Sequence, residues 1–495
     1  MYPPSIARDA PGAVAYVMAG SGESLTYGDL DSRSNRLAHY WRSRGIVAGD
    51  SVVLAMENNV HWPVAVAAGM RSGLCVTPVN WHLKPGEFAA IVAAEKPAVI
   101  VTSVGMAPLV GEALRSMSPG PRPVVVTVDG PVEGCVPLDE ALAGQPSGPI
   151  EGELLGARVL YSSGTTGRPK RFAQPLLGVH PDQAPPRHSE LVSRLGMDGD
   201  TVLLSPAPSY HAAPFTFQLI VLAAGGTVVC MEKFDTRAAL QAINTYDVTH
   251  SQWVPTMLNR LLALPADERI ALADHHQVAV TSGAPCPVHV KERIADWWGP
   301  VLHEYYGASE GYGHTYISPA EAAQRSGSVG RPLGAARVRI VDADGREVPA
   351  GTDGTVCFVS GGDVGAPLKE MGDIGHLDQD GYLYLVGRRG FMIISGGVNI
   401  YPDEVEAALL AHPGVADAAV IGVPDADLGE AVKAIVCLYP GAEVTERDII
   451  DHARAGLAHF KAPRAVEFTN DLPRLPTGKL DKRSLVRHYR QGESS

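Results

Sequence analysis

The sequence lacks most of the features that mark a secreted, membrane-spanning or nucleic-acid-binding protein. Its six cysteines (Cys75, Cys135, Cys230, Cys286, Cys357 and Cys437) stand singly with no CxxC pair, which argues against a structural zinc site or a disulfide framework. No apolar run reaches the roughly 20 residues needed to cross a bilayer, and the N-terminal MYPPSIARDAPG lacks the basic-then-apolar layout of a secretory signal. A cytoplasmic location without integral membrane association is expected. There is no basic surplus: 41 Lys and Arg face 54 Asp and Glu, a formal net charge of −13 that disfavours nucleic acid as a partner. No internal repeat is present. What remains is a globular chain whose natural partner is a small molecule, as a monomer or a homodimer.

At 495 residues the chain exceeds what one hydrophobic core usually serves, so more than one domain is expected. Early segments alternate: a helical stretch from Tyr27 to Gly45, the strand-like SVVLAM, the helical HWPVAVAAGMRSG, the strand CVTPVN, the helix GEFAAIVAAEKP and the strand AVIVTS. Such alternation predicts an α/β fold with a mainly parallel sheet covered by helices. Several later strands run into loops, namely PSYHAAP, QWVPTM, SGAPCP and HEYYGASEGYG, and α/β sheets place their ligands at such strand ends. Beyond Gly327, RVRIVDADGREVPAGTDGTVCFVS reads as short alternating strands of a β subdomain. The arginine pair flanked by Gly387 and Gly390 is a natural hinge, dividing a large domain, 1–388, from a small mobile α/β domain, 389–495.

One stretch carries distinctive chemistry. YSSGTTGRPK, Tyr161 to Lys170, offers the four aliphatic hydroxyls of Ser162, Ser163, Thr165 and Thr166, two glycines that admit a ligand close to the backbone, and two cations, a composition suited to a polyphosphate. It is not a Walker loop, since Lys170 follows Pro169 and precedes Arg171 rather than a Ser or Thr. Serine, threonine, glycine and proline also make ordinary turns, so the composition alone leaves both readings open.

In its fuller wording YSSGTTGRPK resembles the phosphate-binding signature of the adenylate-forming (ANL) superfamily of acyl-CoA synthetases, firefly-type luciferases and peptide-synthetase adenylation domains. PSYHAAP, SGAP, YYGASE, GDIGHLD, VGRR, ISGGVNIYPDEVE and PRLPTGKLDKRSL resemble its further motifs, in the family's order, across residues 25–485. The absence of a carrier domain and the SGGVNIYPDEVE wording look more like an acyl-CoA synthetase. The resemblance implies an AMP-forming ligase that uses ATP, Mg²⁺ and coenzyme A to convert a carboxylic acid into its thioester through an acyl-adenylate. It assigns nucleotide contacts to Ser162, Ser163, Gly164, Thr165, Thr166, Gly167 and Lys170, to Gly283, Ala284, Pro285, Tyr306 and Ser309, and to Asp373 and Arg388. Glu310 would ligate the metal, and Lys479 would meet charge developing between carboxylate and α-phosphate. His211, Trp253, Val254, Ser282 and Gly307 would line the acyl pocket, His211 also being a catalytic candidate. Gly396, Gly397 and Lys461 would meet coenzyme A.

The chain departs from the family pattern in four places. Arg171 stands where a glycine is usual, and either binds phosphate or fills its space. Met371 replaces the usual threonine before Gly372 and Asp373, removing a hydroxyl near the ribose. Gly390 and Phe391 replace the usual hinge residues. These departures keep two alternatives beside a complete acyl-CoA ligase: a homologue poor at adenylation that mainly forms the thioester from a supplied acyl-adenylate, and a nucleotide-binding protein without turnover.

Overall fold

A computed structural model describes residues 4–117, 120–162, 170–184, 188–284, 286–307, 311–359, 367–396, 398–425, 427–475 and 479–491. The chain forms two compact units, one of residues 1–252 and 272–278, the other of residues 253–271 and 279–495.

In the first unit, apolar runs and helical spacings produce the expected alternation. The helix Tyr27–Ser43 starts at a capping box in which Thr26 accepts from the Asp29 amide. It buries Tyr27, Leu30, Leu37, Ala38 and Trp41 along one stripe. A seven-stranded sheet runs in the order Val136–Pro137, Val124–Val128, Val99–Ser103, Ser51–Ala55, Cys75–Pro78, Ala157–Ser162 and Lys170–Ala173. Its pairings are parallel until the last, where Ala157–Ser162 and Lys170–Ala173 form an antiparallel hairpin. The five valines and isoleucine of Val52, Val53, Val99, Ile100, Val101 and Val126 are all fully buried, as two-sided burial of a parallel sheet demands. In another sheet the strands His250–Trp253, Val202–Ser205, Thr227–Cys230 and Val14–Met18 lie parallel in that order.

In the second unit, Val278–Thr281 and Leu302–Gly307 pair in parallel, and His314–Ile317 joins antiparallel. The residues expected to form a loop, HEYYG, are therefore largely strand: Tyr305 pairs with Tyr316 and Tyr306 with Thr315. Adjacent aromatics suit a half-buried pleat better than a turn, and the glycines that suggested a loop only follow them. The β subdomain is confirmed as a four-stranded antiparallel sheet of Arg337–Val341, Gly354–Val359, Lys369–Leu377 and Leu383–Arg388. The glycine-rich stretch after Arg389 holds a further hairpin, Ile393–Ser395 with Val398–Ile400, before the helix Pro402–Leu410. The long hairpin Val415–Asp425 with Gly429–Leu438 then carries the small α/β domain, its core built on Ile400, Val405, Leu409, Val420, Ala434, Val436 and Ile449. The mixed α/β architecture with a large N-terminal and a small C-terminal domain is thus as the sequence implied. No helix among the described residues is long and apolar enough to cross a membrane.

Candidate active site

Within the second unit two groups of expected site residues come together. The first centres on Asp373. It lies in Lys369–Leu377 directly opposite Arg388 of the neighbouring strand, and is only 4% exposed. Arg388 Nε donates to Asp373 Oδ1 at 2.6 Å, and the Tyr306 hydroxyl donates to Oδ2 at 2.6 Å. Desolvation opposes the Arg388 charge, but the adjoining carboxylate outweighs it and holds the guanidinium above its ordinary pKa. A carboxylate has about four acceptor positions, so two remain after these bonds, enough for a pair of vicinal hydroxyls such as those of a ribose.

The Tyr306 ring is positioned from behind. It stacks on Phe358 with centroids 6.1 Å apart and an interplanar angle of 28°. Met371, which stands in place of the expected hydroxyl, packs against the same apolar cluster of Val338, Val356, Phe358 and Leu383. Its thioether thus supports the wall behind Tyr306. Gly307 follows at a place where any side chain would collide: a Cβ there would sit 2.4 Å from His314 Cδ2 and 3.0 Å from the Gly313 carbonyl oxygen.

The second group centres on Gly283. Its φ of +87° lies in the left-handed region, and a Cβ built on it would stand 3.7 Å from both Lys479 Cε and Val254 Cγ1. The exposed Lys479 is therefore brought to the glycine strand end from nearly 200 residues away in sequence, held by a bond from the Leu475 amide to its carbonyl at 2.8 Å. Ser282 is buried, its amide donating to the Trp253 carbonyl at 3.3 Å. Trp253 is itself fully buried and tilts against Trp298, with centroids 5.6 Å apart, so its ring packs as core behind the strand end. Ala284 follows, partly buried.

In the first unit, His211 occupies the N-cap position of the helix Ala212–Ala224 without a side-chain capping bond, its ring 4.1 Å from that of Tyr210. Tyr210 in turn meets Trp81 edge-on at 4.8 Å. Ser162 and Lys170 pair across the phosphate-loop hairpin, while Ser163 to Gly167 lie outside the described residues, as do Pro285, Ser309, Glu310 and Gly397. Arg171 is held by an acid: its Nε donates to Glu95 Oε1 at 2.6 Å. Glu95 was not anticipated. It is the last residue of the helix Pro85–Glu95, a buried glutamate ending an otherwise apolar run, and that misplaced charge was its only sequence signal.

Gly396 sits at the turn of the hairpin after Ile393–Ser395. Lys461 Nζ is engaged by both oxygens of Glu404, at 2.6 and 2.8 Å. A phosphate at Lys461 would have to compete with that carboxylate.

The second unit thus presents a buried carboxylate with acceptor positions to spare and a lysine beside a glycine strand end; comparison with known proteins gives the family. The family model of AMP-binding enzymes matches residues 5–364, and that of the AMP-binding enzyme C-terminal domain matches residues 404–479. The chain belongs to this family, and so to the adenylate-forming superfamily; its relatives make it an AMP-forming ligase. It is 32% identical to a feruloyl-CoA synthase of Amycolatopsis sp., covering 99% of this chain and 98% of the relative. It is 30% identical to the long-chain-fatty-acid–CoA ligase FadD13 of Mycobacterium tuberculosis, covering 97% and 96%. Among solved structures, ATP-bound MatB from Rhodopseudomonas palustris is similar, with a TM-score of 0.83, 28% identity and 99% of each chain covered. The amide bond synthetase McbA from Marinactinospora thermotolerans gives a TM-score of 0.81 at 28% identity, covering 98% and 100%.

Proposed function

We propose that the protein is an acyl-CoA ligase. A carboxylate oxygen of the acid attacks the α-phosphorus of ATP, expelling pyrophosphate and leaving an acyl-adenylate; the thiol of coenzyme A then attacks the acyl carbon and AMP departs. The observation that carries this reading is the placement of Lys479 against Gly283 beside Val254. In the first step negative charge gathers between the entering carboxylate and the α-phosphate, and a cation already held there stabilises it without reorganisation.

Asp373 would accept from the ribose hydroxyls, with Tyr306 and Arg388 fixing its orientation. The phosphate-loop residues would hold the β and γ phosphates. Mg²⁺, assigned to Glu310 by the motif alone, would neutralise phosphate charge, a task suited to a hard carboxylate oxygen. The mobile domain 389–495 would turn about Gly387 to Gly390 between the two half-reactions.

Coenzyme A is favoured over other acceptors by the two CoA-thioester-forming relatives and by the SGGVNIYPDEVE wording. Two of the four departures that suggested weak adenylation are accommodated: Arg171 is paired with Glu95, and Met371 is packed. The test is pyrophosphate exchange over a panel of aromatic and aliphatic acids, followed by thiol consumption with coenzyme A. Acid-dependent exchange together with thioester is expected. Thioester formed only from a synthetic adenylate, without exchange, would overturn the reading, as would nucleotide binding with no turnover.

A further inference from the structure

Arg171, Glu95 and Tyr161 form a clamp at the base of the phosphate-loop hairpin. Tyr161 and Arg171 are directly opposed across the antiparallel pair Ala157–Ser162 and Lys170–Ala173, so their side chains leave the hairpin on the same face. Both reach one carboxylate. Arg171 Nε donates to Glu95 Oε1 at 2.6 Å, Nη2 donates to Oε2 at 3.4 Å, and the Tyr161 hydroxyl donates to Oε1. The Ser51 hydroxyl adds a longer bond to Oε2 at 3.4 Å.

The electrostatics favour this contact. The Glu95 side chain is 1% exposed and ends a helix, where the helix dipole is unfavourable to an anion. A buried carboxylate there needs a cation. Arg171 supplies it from outside, its own side chain 46% exposed, and the bond to Glu95 raises its pKa. Burial and then the same carboxylate raise that of Tyr161.

We infer that Arg171 is a positioning residue: by pairing with Glu95 it pins both strands that carry the phosphate loop, and so sets ATP affinity without touching phosphate. Arg171, at the position where the family pattern has glycine, fixes these strands by an ion pair to the helix Pro85–Glu95. The inference rests on the proposed ATP-dependent reaction.

The test is a double-mutant cycle on Arg171→Gly and Glu95→Gln, with Arg171→Lys and Tyr161→Phe as gentler variants that preserve folding. ATP dissociation constants and the KM and kcat of pyrophosphate exchange are measured for each. If the clamp acts as inferred, R171G and E95Q each raise the ATP dissociation constant and KM about fivefold or more. The double variant is no worse than either single, R171K recovers part of the loss, and kcat moves less than KM. If Arg171 instead binds phosphate, R171G weakens ATP equally with or without Glu95 while E95Q alone does not, and the inference fails. It also fails if the variants lower only the melting temperature. A wild-type protein that binds ATP but exchanges no pyrophosphate with any acid would sink the proposed function, while the ATP dissociation constants would still decide the clamp.

Discussion

At the scale of single residues, Asp373 and Lys479 are separable by what each is asked to do. In the proposed reaction Lys479 would act on charge that exists only as the reaction proceeds, so Lys479→Ala is expected to lower the rate of pyrophosphate exchange about 10² to 10³-fold while leaving AMP binding nearly unchanged. In the same proposal Asp373 would hold a ribose present in both ground and transition states, so its removal is expected to show as lost affinity. Two hydrogen bonds to a charged acceptor, each contributing about 1.5–3 kcal/mol, make a fall of at least tenfold in AMP affinity the expected result for Asp373→Ala, read by calorimetry. Because the Tyr306→Phe change removes one hydrogen bond to that carboxylate and keeps the ring, it is expected to cost less than Asp373→Ala in the same titration. Equal losses would mean that Tyr306 meets the nucleotide directly.

At the scale of elements, how much was legible followed from how local the signal is. The helices Tyr27–Ser43, Trp62–Arg71 and Pro85–Glu95 and the strands between them were readable because period and burial agree within one stretch. The hairpin Ile393–Ser395 with Val398–Ile400 was not, since its glycine-rich wording speaks for a bend and its strands are three residues each. The motif segments were recognisable by wording, yet Glu95, from a helix with no motif, escaped, because its partners are 66 and 76 residues away in sequence. Capping is the opposite case, wholly local. At the helix Glu446–Gly456 the Thr445 hydroxyl accepts from the Asp448 amide at 3.3 Å while the Asp448 carboxylate accepts from the Thr445 amide at 2.9 Å. Thr445→Ala should therefore cost about 1 kcal/mol of C-terminal domain stability in denaturant unfolding, and Thr445→Ser much less.

At the scale of the whole molecule, the most telling terms are buried groups whose charge state differs between folded and unfolded chains. His276 is 5% exposed, with Nε2 2.8 Å from the Ser251 hydroxyl. Burial first, and then the neighbouring His250 and His275, lower its pKa from the ordinary 6.5 to about 4. The unfolded chain therefore takes up a proton near pH 6.5 that the folded chain refuses until about pH 4, so stability is full above that window and falls as pH descends through it. One proton contributes about 1.4 kcal/mol per pH unit, which gives a loss of roughly 2 kcal/mol between pH 6.5 and 5, before most carboxylates titrate. His250, with Nε2 2.8 Å from the Leu195 carbonyl, is also lowered by burial and acts in the same direction. Because the buried Glu406, pushed up to about 7, acts in the opposite direction over the same range, the readout is a difference: in urea unfolding of the full chain from pH 7.5 to 5, His276→Gln, which keeps a polar group but cannot take up the proton, should shift the pH slope of stability by most of one proton's worth relative to wild type. A variant whose stability changes with pH as the wild type's does would show that His276 takes up its proton equally in the folded and unfolded chains and that the acid sensitivity of the fold lies elsewhere.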